Sequence, residues 1–421
     1  MSRLNNLFIF LLSLYALLWG TAWNIKYINL NITELFLPLI LFYSLIKIYI
    51  DQKSPFTSNN LIFFFIVSFI ITVYLGIGLI EINNLSNTSS DIFYAISYYI
   101  KIIIFFFFSY LISSILDSEE NIEKFIKYFF LMLIPLYFFL HYRYAFIYET
   151  YHVGVSLDGL GLKNGKNSFG GMIALLAPFI LSSLFKENRN NLFIFLSTTV
   201  ILLSSYFIYS RAMAIVVAIE IAVIIFLLDR GIKKILIMSL IFLSFFLIYK
   251  NYEEDVLKYF LKSDYESFQD DKLYNIEDIE NEYKKEYLFF DTHRGWLLYE
   301  AVQGAKDNNF IGSGIGTFRV RLTNLGNRTE THNDIALIFY EIGMIGLSIF
   351  IVSISVCLIK SYKVFKSSRN YLYRAIIASL VGLVSLMLFS NFISTFMFWL
   401  IIGLYISLIK ARQKKLDLKS E

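Results

Sequence analysis

Charge, cysteine and histidine are all scarce in this chain of 421 residues. Charged residues make up 17% of it, against about a quarter in an average soluble domain, while hydrophobic residues make up 57% and the mean hydropathy is +0.61. The net charge of only +4 gives no sign of a nucleic-acid partner. The single cysteine, Cys357, excludes a disulfide within the chain and a cysteine-based metal cage. The composition therefore predicts a polytopic membrane protein.

Two glycine-rich stretches suggest nucleotide binding and fail on their spacing. "GLGLKNGKNSFGG" has Leu160 and Asn167 where a phosphate loop needs glycine and a hydroxyl residue. "GSGIGTF" has Thr317 at the place of the third glycine of a dinucleotide site. The four histidines show no paired spacing that is typical of a metal site. We therefore expect neither a cofactor nor a metal.

Apolar segments long enough to cross a bilayer, about 20 residues each, recur along the chain. The run 371–409 is too long for one span and is expected to break at Ser390 and Asn391. The sequence thus predicts an all-α protein with twelve spans. The other ten are 4–23, 28–50, 61–82, 92–116, 125–147, 168–185, 192–209, 212–228, 235–249 and 335–359.

The basic residues between these segments indicate the orientation, because short cytoplasmic loops are rich in lysine and arginine. With twelve spans, every basic cluster falls on one face, which we take as cytoplasmic. Both termini then lie inside. The clusters are Lys53, Lys124, Lys186 with Arg189, Arg230 with Lys233 and Lys234, a loop with Lys360, Lys363, Lys366 and Arg369, and a tail with Lys410, Arg412, Lys414 and Lys415.

Two long segments remain on the outer face, 143–167 and 250–333. The second is the only sizeable part outside the bilayer. The predicted organisation is therefore spans one to nine in residues 1–249, a periplasmic loop domain in 250–333, and spans ten to twelve with a basic tail in 334–421.

Polar residues at membrane depth are functional candidates by default. Arg211 lies in a tight outer turn, where an interfacial arginine reaching to headgroups explains it equally well. Glu220 lies nine residues further along the same helix and is also consistent with polar packing inside the bundle. Lys101 lies a few turns inside the fourth span and either extends to the interface or faces an anion-binding cavity.

The outer loop and the tenth span carry further candidates. Arg294 opens a predicted loop helix that Asp291 or Thr292 caps, and a solvated arginine is the alternative explanation. His332 follows Thr331, which we expect to be an N-cap, so the ring would lie at a helix N-terminus that favours anions. A structural interfacial histidine is the alternative. Gly343 and Gly346 indicate close helix packing.

Three stretches in this order resemble the O-antigen ligase and polymerase superfamily. They are the Ser210-Arg211 turn, the Arg294 helix followed by "FIGSGIGTF", and "THNDIALIFYEIGMIGL" from Thr331 to Leu347. The members of that superfamily are bacterial membrane enzymes that move glycans off undecaprenyl diphosphate on the periplasmic side. The resemblance covers most of the chain, through the order and spacing of the stretches rather than any one motif.

The resemblance implies a role for each candidate. Arg211 and Arg294 would bind the donor diphosphate, with Lys101 as an additional point charge, and arginine suits bidentate phosphate contacts. His332 would be the general base that activates the acceptor hydroxyl. The anomeric centre would invert, without metal or cofactor. The possible supporting residues are Asn333, Glu341 and Glu220.

Several functions remain open at this stage. The expected enzyme is an O-antigen ligase of lipopolysaccharide biosynthesis in the bacterial inner membrane, with lipid A–core as acceptor. A polymerase that uses a second lipid-linked glycan is the alternative, because Thr331 leaves the choice between the two branches open. A polysaccharide flippase shares the span count, but the chain shows no internal repeat. A scaffold without chemistry would leave the arginines and histidine unexplained.

Overall fold

The computed structural model describes residues 2–21, 24–25, 30–51, 58–85, 89–146, 166–185, 191–207, 211–228, 292–324 and 333–420. Within these ranges it contains thirteen helices and one antiparallel pair of two-residue strands, β1 (Asn24–Ile25) and β2 (Leu30–Asn31). The helices are α1 (Ser2–Thr21), α2 (Ile32–Asp51), α3 (Ser58–Leu85), α4 (Ser89–Ile115), α5 (Glu119–Phe146), α6 (Lys166–Ser183), α7 (Asn191–Phe207), α8 (Arg211–Phe226), α9 (Thr292–Asp307), α10 (Thr317–Asn324), α11 (Asp334–Ser368), α12 (Tyr371–Met387) and α13 (Phe396–Ser420).

The structure confirms an all-helical membrane protein. Four helices are long and apolar enough to cross a bilayer: 61–85, 89–115, 334–368 and 396–417. Eleven of the twelve predicted segments coincide with helices, and the predicted break at Ser390 and Asn391 lies between α12 and α13. The segment 235–249 lies outside the described residues, so twelve crossings remain a prediction.

The boundary of one predicted basic segment was wrong. Lys360, Lys363 and Lys366 were expected in a loop, but α11 continues through them to Ser368. Lysine is a good helix former, and positive charge near a helix C-terminus is favoured by the helix dipole. The tail is also helical, because α13 extends to Ser420. The connection between α11 and α12 is therefore only Arg369 and Asn370, with Arg369 in a left-handed conformation.

Helices α6 and α12 form the centre of the bundle. All residues of α12 from 371 to 380 are buried, as are those of α6 from 169 to 183. Helix α12 packs against α6, α8 and α11, and α13 packs against α4. Helix α3, by contrast, turns large apolar side chains such as Phe65 and Phe69 outward. A face of this kind fits contact with lipid tails rather than water.

Polar contacts hold the helix ends together at the end of the bundle that carries the basic clusters. Lys47 of α2 pairs with Asp117 at 3.1 Å, and Lys415 of α13 pairs with Glu119 at 2.5 Å. The hydroxyl of Tyr371, at the start of α12, donates to Glu123 at 2.6 Å. Five helix ends, those of α2, α4, α5, α12 and α13, therefore meet here, in agreement with predicted cytoplasmic connections on one face.

A loop of residues 308–316, between α9 and α10, enters the bundle beside α11. Helix α11 is interrupted at Gly343, whose φ is +70° and ψ −162°. The interruption frees backbone groups that a continuous helix would pair internally. The N–H of Ser313 donates to the carbonyl of Tyr340 at 3.0 Å, and that of Gly314 to the carbonyl of Glu341 at 2.9 Å. In return, the N–H of Met344 donates to the carbonyl of Phe310 at 3.0 Å.

The loop meets α11 well away from the start of that helix. Gly343 is nine residues into α11, roughly 13 Å along its axis. On the other side of the loop, the N–H of Ile315 donates to the carbonyl of Tyr74 in α3 at 3.0 Å. Irregular backbone is tolerated at such a depth only where protein covers it and satisfies its hydrogen bonds. The loop meets that condition.

Close approach to α3 depends on Gly78. A Cβ atom at this position would collide with the backbone of Ile315 and Gly314. Gly314 itself has a φ of +96°, which disfavours any side chain, and a Cβ there would strike the backbone of Gly78. The two glycines together set the distance between loop and helix.

Gly78→Ala should therefore lower the thermal stability of the protein in detergent, by about 1–3 kcal/mol, the usual cost of overpacking. Gly76→Ala is the matched control, two residues away on the same helix, because a Cβ at Gly76 meets nothing within 4 Å. We expect Gly76→Ala to be neutral or slightly stabilising, since alanine is the better helix former. Equal unfolding temperatures for the two variants would show that the loop does not depend on Gly78.

Candidate functional site

The start of α11 is fixed by two neighbouring polar residues. The side chain of Asn333 accepts the N–H of Ala336 at 3.0 Å and is the N-cap of the helix. The expectation that Thr331 caps this helix was therefore wrong, and His332 precedes the cap. The next residue, Asp334, is fully buried, and its Oδ2 atom accepts the N–H groups of Phe392 and of Ile393, the latter at 2.8 Å. These two hydrogen bonds join the start of α11 to the break between α12 and α13.

These contacts also change the expected anion site at the helix N-terminus. The N–H of Ala336 is satisfied by Asn333, and the carboxylate of Asp334 lies in the first turn. Negative charge there offsets the helix dipole. Among the described residues, the backbone N–H groups at this end of α11 thus do not form a phosphate-binding site. An anionic substrate would need cationic side chains instead.

Glu341 connects α11 to the loop 308–316. Its side chain is 5% exposed, and its Oε1 atom accepts the N–H of Gly316 at 2.8 Å. The hydroxyl of Tyr74 donates to the carbonyl of Ile311 at 2.6 Å from the other side. The predicted supporting residue Glu341 is therefore held in place by the loop, just before the interruption at Gly343. Gly343, expected to allow close helix packing, instead provides this interruption.

A chamber of about 20 Å³, with room for about one water molecule, lies beside Glu341. It is lined by Tyr94, Tyr98, Phe318, Arg319, Leu337, Glu341 and Asn391. The guanidinium of Arg319 lies over the ring of Tyr94, 4.2 Å from its centroid, and 3.9 Å from the carboxylate of Asp91. A cation that lies over an aromatic ring is held in a fixed orientation while its positive charge is not fully neutralised. The chamber thus combines a positive group, a carboxylate and an amide.

A long apolar groove begins where the chamber ends. Tyr98, Leu337 and Glu341 line both of them. The groove has a volume of about 810 Å³ and lies between α3, α4, α11 and α13. Its opposite end is lined by Lys360, Lys410 and Gln413. Between Glu341 and these two lysines, none of the described lining residues is charged. We call the Glu341 side its polar end and the lysine side its basic end.

The helices that carry the predicted arginines begin near the polar end. Phe193 and Ile194, at the start of α7, share a surface pocket with Tyr371 at the start of α12. Helix α7 therefore runs toward the end where α12 stops and Asp334 binds the following backbone. Helix α8 begins there with Arg211, whose side chain lies outside the described part of the structure.

Helix α9 begins at Thr292, as the sequence predicted. Leu297 in its first half belongs to the same buried cluster as Ala336 and Leu337. Gly304, further along α9, faces the ring of Tyr340. The first turn of α9, which contains Arg294, therefore points toward the start of α11. The side chain of Arg294 lies outside the described residues.

A partly buried ion pair connects α9 to α10 in this region. Arg321 donates from Nε to Glu300 at 3.0 Å and lies 3.4 Å from Asp307. Burial alone lowers the pKa of Arg321, but the hydrogen bond and the charge of Glu300 outweigh it and raise the pKa. Arg321 therefore has a structural role between the two helices.

The remaining predicted residues are not brought into the chamber. Lys101 is exposed on α4 and does not line the groove or the chamber. Glu220 is fully buried against Gly382 of α12, and neither of its oxygens has a hydrogen-bond partner among the described residues. His332 lies outside the described residues, directly before Asn333. No metal-binding group of histidines, cysteines and carboxylates is found in the described ranges.

Two important polar residues escaped the sequence-based search. Asp334 follows the His-Asn pair directly and is a charged residue at the start of a span, which is a usable signal. Arg319 was one of several loop arginines, and nothing in its local sequence distinguishes it from Arg321. Only the packing of α10 against α3 and α4 brings Arg319 to Tyr94.

Comparison with known proteins adds no family assignment. The sequence matches no protein-family model, and no similarity to a curated protein reaches significance.

Asp334→Ala should destabilise the protein by at least about 2 kcal/mol, because the buried N–H groups of Phe392 and Ile393 would lose their acceptor. Thermal unfolding in detergent is the measurement. Asp307→Ala is the control, since Asp307 is 63% exposed in its ion pair with Arg321 and such pairs contribute roughly 0–1 kcal/mol. A loss for Asp334→Ala no larger than for Asp307→Ala would contradict the anchoring role.

Proposed function

We propose that this protein is a membrane glycosyltransferase that moves a glycan from undecaprenyl diphosphate to an acceptor hydroxyl. The junction between the apolar groove and the polar chamber at Tyr98, Leu337 and Glu341 is the observation that carries this proposal. A lipid-linked glycan donor has a long apolar chain, an anionic head and a polar sugar. It needs a site in which an apolar channel ends among polar side chains. The junction is such a place, and the sugar would lie beyond the chamber, whose volume is only about 20 Å³.

The charge of the donor head calls for cations at the same height. Arg211 begins α8 and Arg294 lies in the first turn of α9, both at the end of the bundle where α11 begins. Arginine offers planar, bidentate contacts to phosphate oxygens. Arg319 of the chamber supplies a further positive group nearby. In this proposal the two helix starts bind the diphosphate, and Lys101 contributes at longer range.

The reaction is a single displacement. The acceptor oxygen attacks the anomeric carbon of the donor glycan, and the bond from that carbon to the diphosphate oxygen breaks. His332 takes the proton of the hydroxyl as general base. Undecaprenyl diphosphate leaves with the bonding electron pair, and the anomeric centre inverts. Asn333 and Asp334 support this step indirectly, because they fix the backbone immediately after His332.

The acceptor that we favour is lipid A–core, which makes the protein an O-antigen ligase of lipopolysaccharide biosynthesis. In this proposal the chain crosses the bacterial inner membrane twelve times, with both termini in the cytoplasm and the chamber on the periplasmic side. A polymerase differs only in its acceptor, a second lipid-linked glycan. The products that accumulate in an inactive variant distinguish the two.

His332→Ala should reduce transfer by roughly 10²–10⁴-fold, the usual contribution of a general base. The measurement is the pool of undecaprenyl-diphosphate-linked glycan in host cells. A ligase predicts long polymer accumulating on the carrier, because chains are built but not transferred. His141→Ala, on α5, is the control and should leave the pool unchanged.

Other outcomes of this experiment would contradict the proposal. Accumulation of single repeat units would identify a polymerase. Glycan trapped in the inner leaflet would indicate a flippase, and a pool like that of the parent protein would show that His332 is structural. Equal amounts of protein in the membrane must accompany each comparison.

Arg211→Lys and Arg294→Lys should each lower transfer by at least about tenfold, since lysine keeps the charge but loses the bidentate contact. Transfer of labelled glycan by purified protein in vesicles is the measurement. Arg369→Lys is the control, an exposed arginine at the other end of α11. Full activity of both lysine variants would show that neither arginine contacts the diphosphate directly.

A further inference from the structure

The basic end of the groove has a chemistry that the transfer reaction does not use. Lys360 of α11 and Lys410 and Gln413 of α13 line it, and none of the described residues adds an acidic side chain. Lys410 is oriented by a hydrogen bond of 2.9 Å from its Nζ atom to the hydroxyl of Ser113 in α4. Two cations and an amide thus lie at the mouth of an apolar groove. This combination matches a phosphate ester that carries a fatty chain.

The same headgroup cannot occupy both ends of the groove. Nineteen residues separate Glu341 from Lys360 along α11, roughly 28 Å. That is close to the thickness of the hydrocarbon core, about 30 Å. The polar end therefore belongs to one leaflet and the basic end to the other. The basic residues lie in the segments that the sequence predicts to be cytoplasmic, and the cytoplasmic leaflet is rich in anionic lipids.

We propose that the basic end of the groove binds one anionic phospholipid of the inner leaflet. Lys360, Lys410 and Gln413 contact its phosphate, and one acyl chain lies in the groove along Trp399, Ile402 and Ile406. The lipid fills the groove from its basic end as far as Trp399, which is eleven residues before Lys410 on α13, roughly 16 Å away. It covers the apolar surface between α11 and α13. This site is separate from the site of glycan transfer and does not depend on the proposed function.

The chain offers a matched pair of variants for testing this. Lys363 lies three residues after Lys360 on α11, and Lys414 lies four residues after Lys410 on α13. Both are exposed, and neither lines the groove. Lys360→Gln with Lys410→Gln and Lys363→Gln with Lys414→Gln therefore remove the same charge from the same helices. Only the first pair removes it from the groove.

Binding is measured by native mass spectrometry of the purified full-length chain in detergent, with phosphatidylglycerol and phosphatidylcholine of identical acyl chains. We expect phosphatidylglycerol to bind at one copy and at least tenfold more tightly than phosphatidylcholine. The groove pair, Lys360→Gln with Lys410→Gln, should remove at least about 80% of this preference. The control pair, Lys363→Gln with Lys414→Gln, should keep it within a factor of about two. The single variant Lys360→Gln should lose part of the preference. Because Lys360 is exposed, this variant should fold even if the double variant does not.

The position of the acyl chain is tested by fluorescence. Trp399 lines the groove, and replacing Trp19, Trp23 and Trp296 with phenylalanine leaves it as the only tryptophan of the chain. Phosphatidylglycerol with brominated acyl chains should quench Trp399 saturably in the parent and in the control pair, but not in the groove pair.

Several results would overturn the proposal. Equal binding of the two phospholipids, or equal losses for the two pairs of variants, would show only a diffuse basic surface. Binding of phosphatidylglycerol without quenching of Trp399 would exclude the groove. Displacement of phosphatidylglycerol by an equal concentration of undecaprenyl phosphate would mean that the basic end binds the prenyl carrier instead.

Discussion

The structure around the site depends on one constraint: backbone groups inside a membrane bundle must all be hydrogen-bonded within the protein. Helix α11 is interrupted at Gly343, which frees the carbonyls of Tyr340 and Glu341 and the N–H of Met344. The loop 308–316 supplies their hydrogen-bond partners, and its close approach to α3 needs Gly78. Helices α3, α9, α10 and α11 are thus tied together by backbone bonds, which do not depend on the rotamer of any one side chain.

The same bonds determine the height of the candidate site. Glu341 lies two residues before the interruption and is held by the N–H of Gly316, while Asn333 and Asp334 fix the other end of that short helical segment. The backbone that leads into His332 is therefore anchored on its C-terminal side. A general base must be held within a few tenths of an ångström to be effective. The hydrogen bonds from the backbone N–H groups of Phe392 and Ile393 to Asp334 fix the start of α11, two residues after the proposed base His332.

Sequence reasoning found the helices and not the contacts between them, for a physical reason. Apolar runs of the right length are local, so eleven predicted segments coincide with helices and the break after Ser390 was located correctly. The bonds between the loop and α11 join backbone groups, which leave no trace in residue type beyond the glycines. Thr331 and Asn333 are both good N-caps, and local propensity does not choose between them. The choice depends on Asp334 reaching a chain segment nearly sixty residues away.

The groove also bears on whether the protein moves lipid-linked glycans across the membrane. A flippase must give a diphosphate and its sugars a polar path past the bilayer midplane, because an uncompensated charge there is very costly. In the described part of the chain, the groove has Glu341 at one end, Lys360 and Lys410 at the other, and no charged lining residue between them. Such a surface suits lipid chains that enter the groove from opposite leaflets, each with its headgroup remaining at its own membrane surface. It therefore favours a protein that uses its lipid substrate at one face over a protein that carries the polar head through this groove.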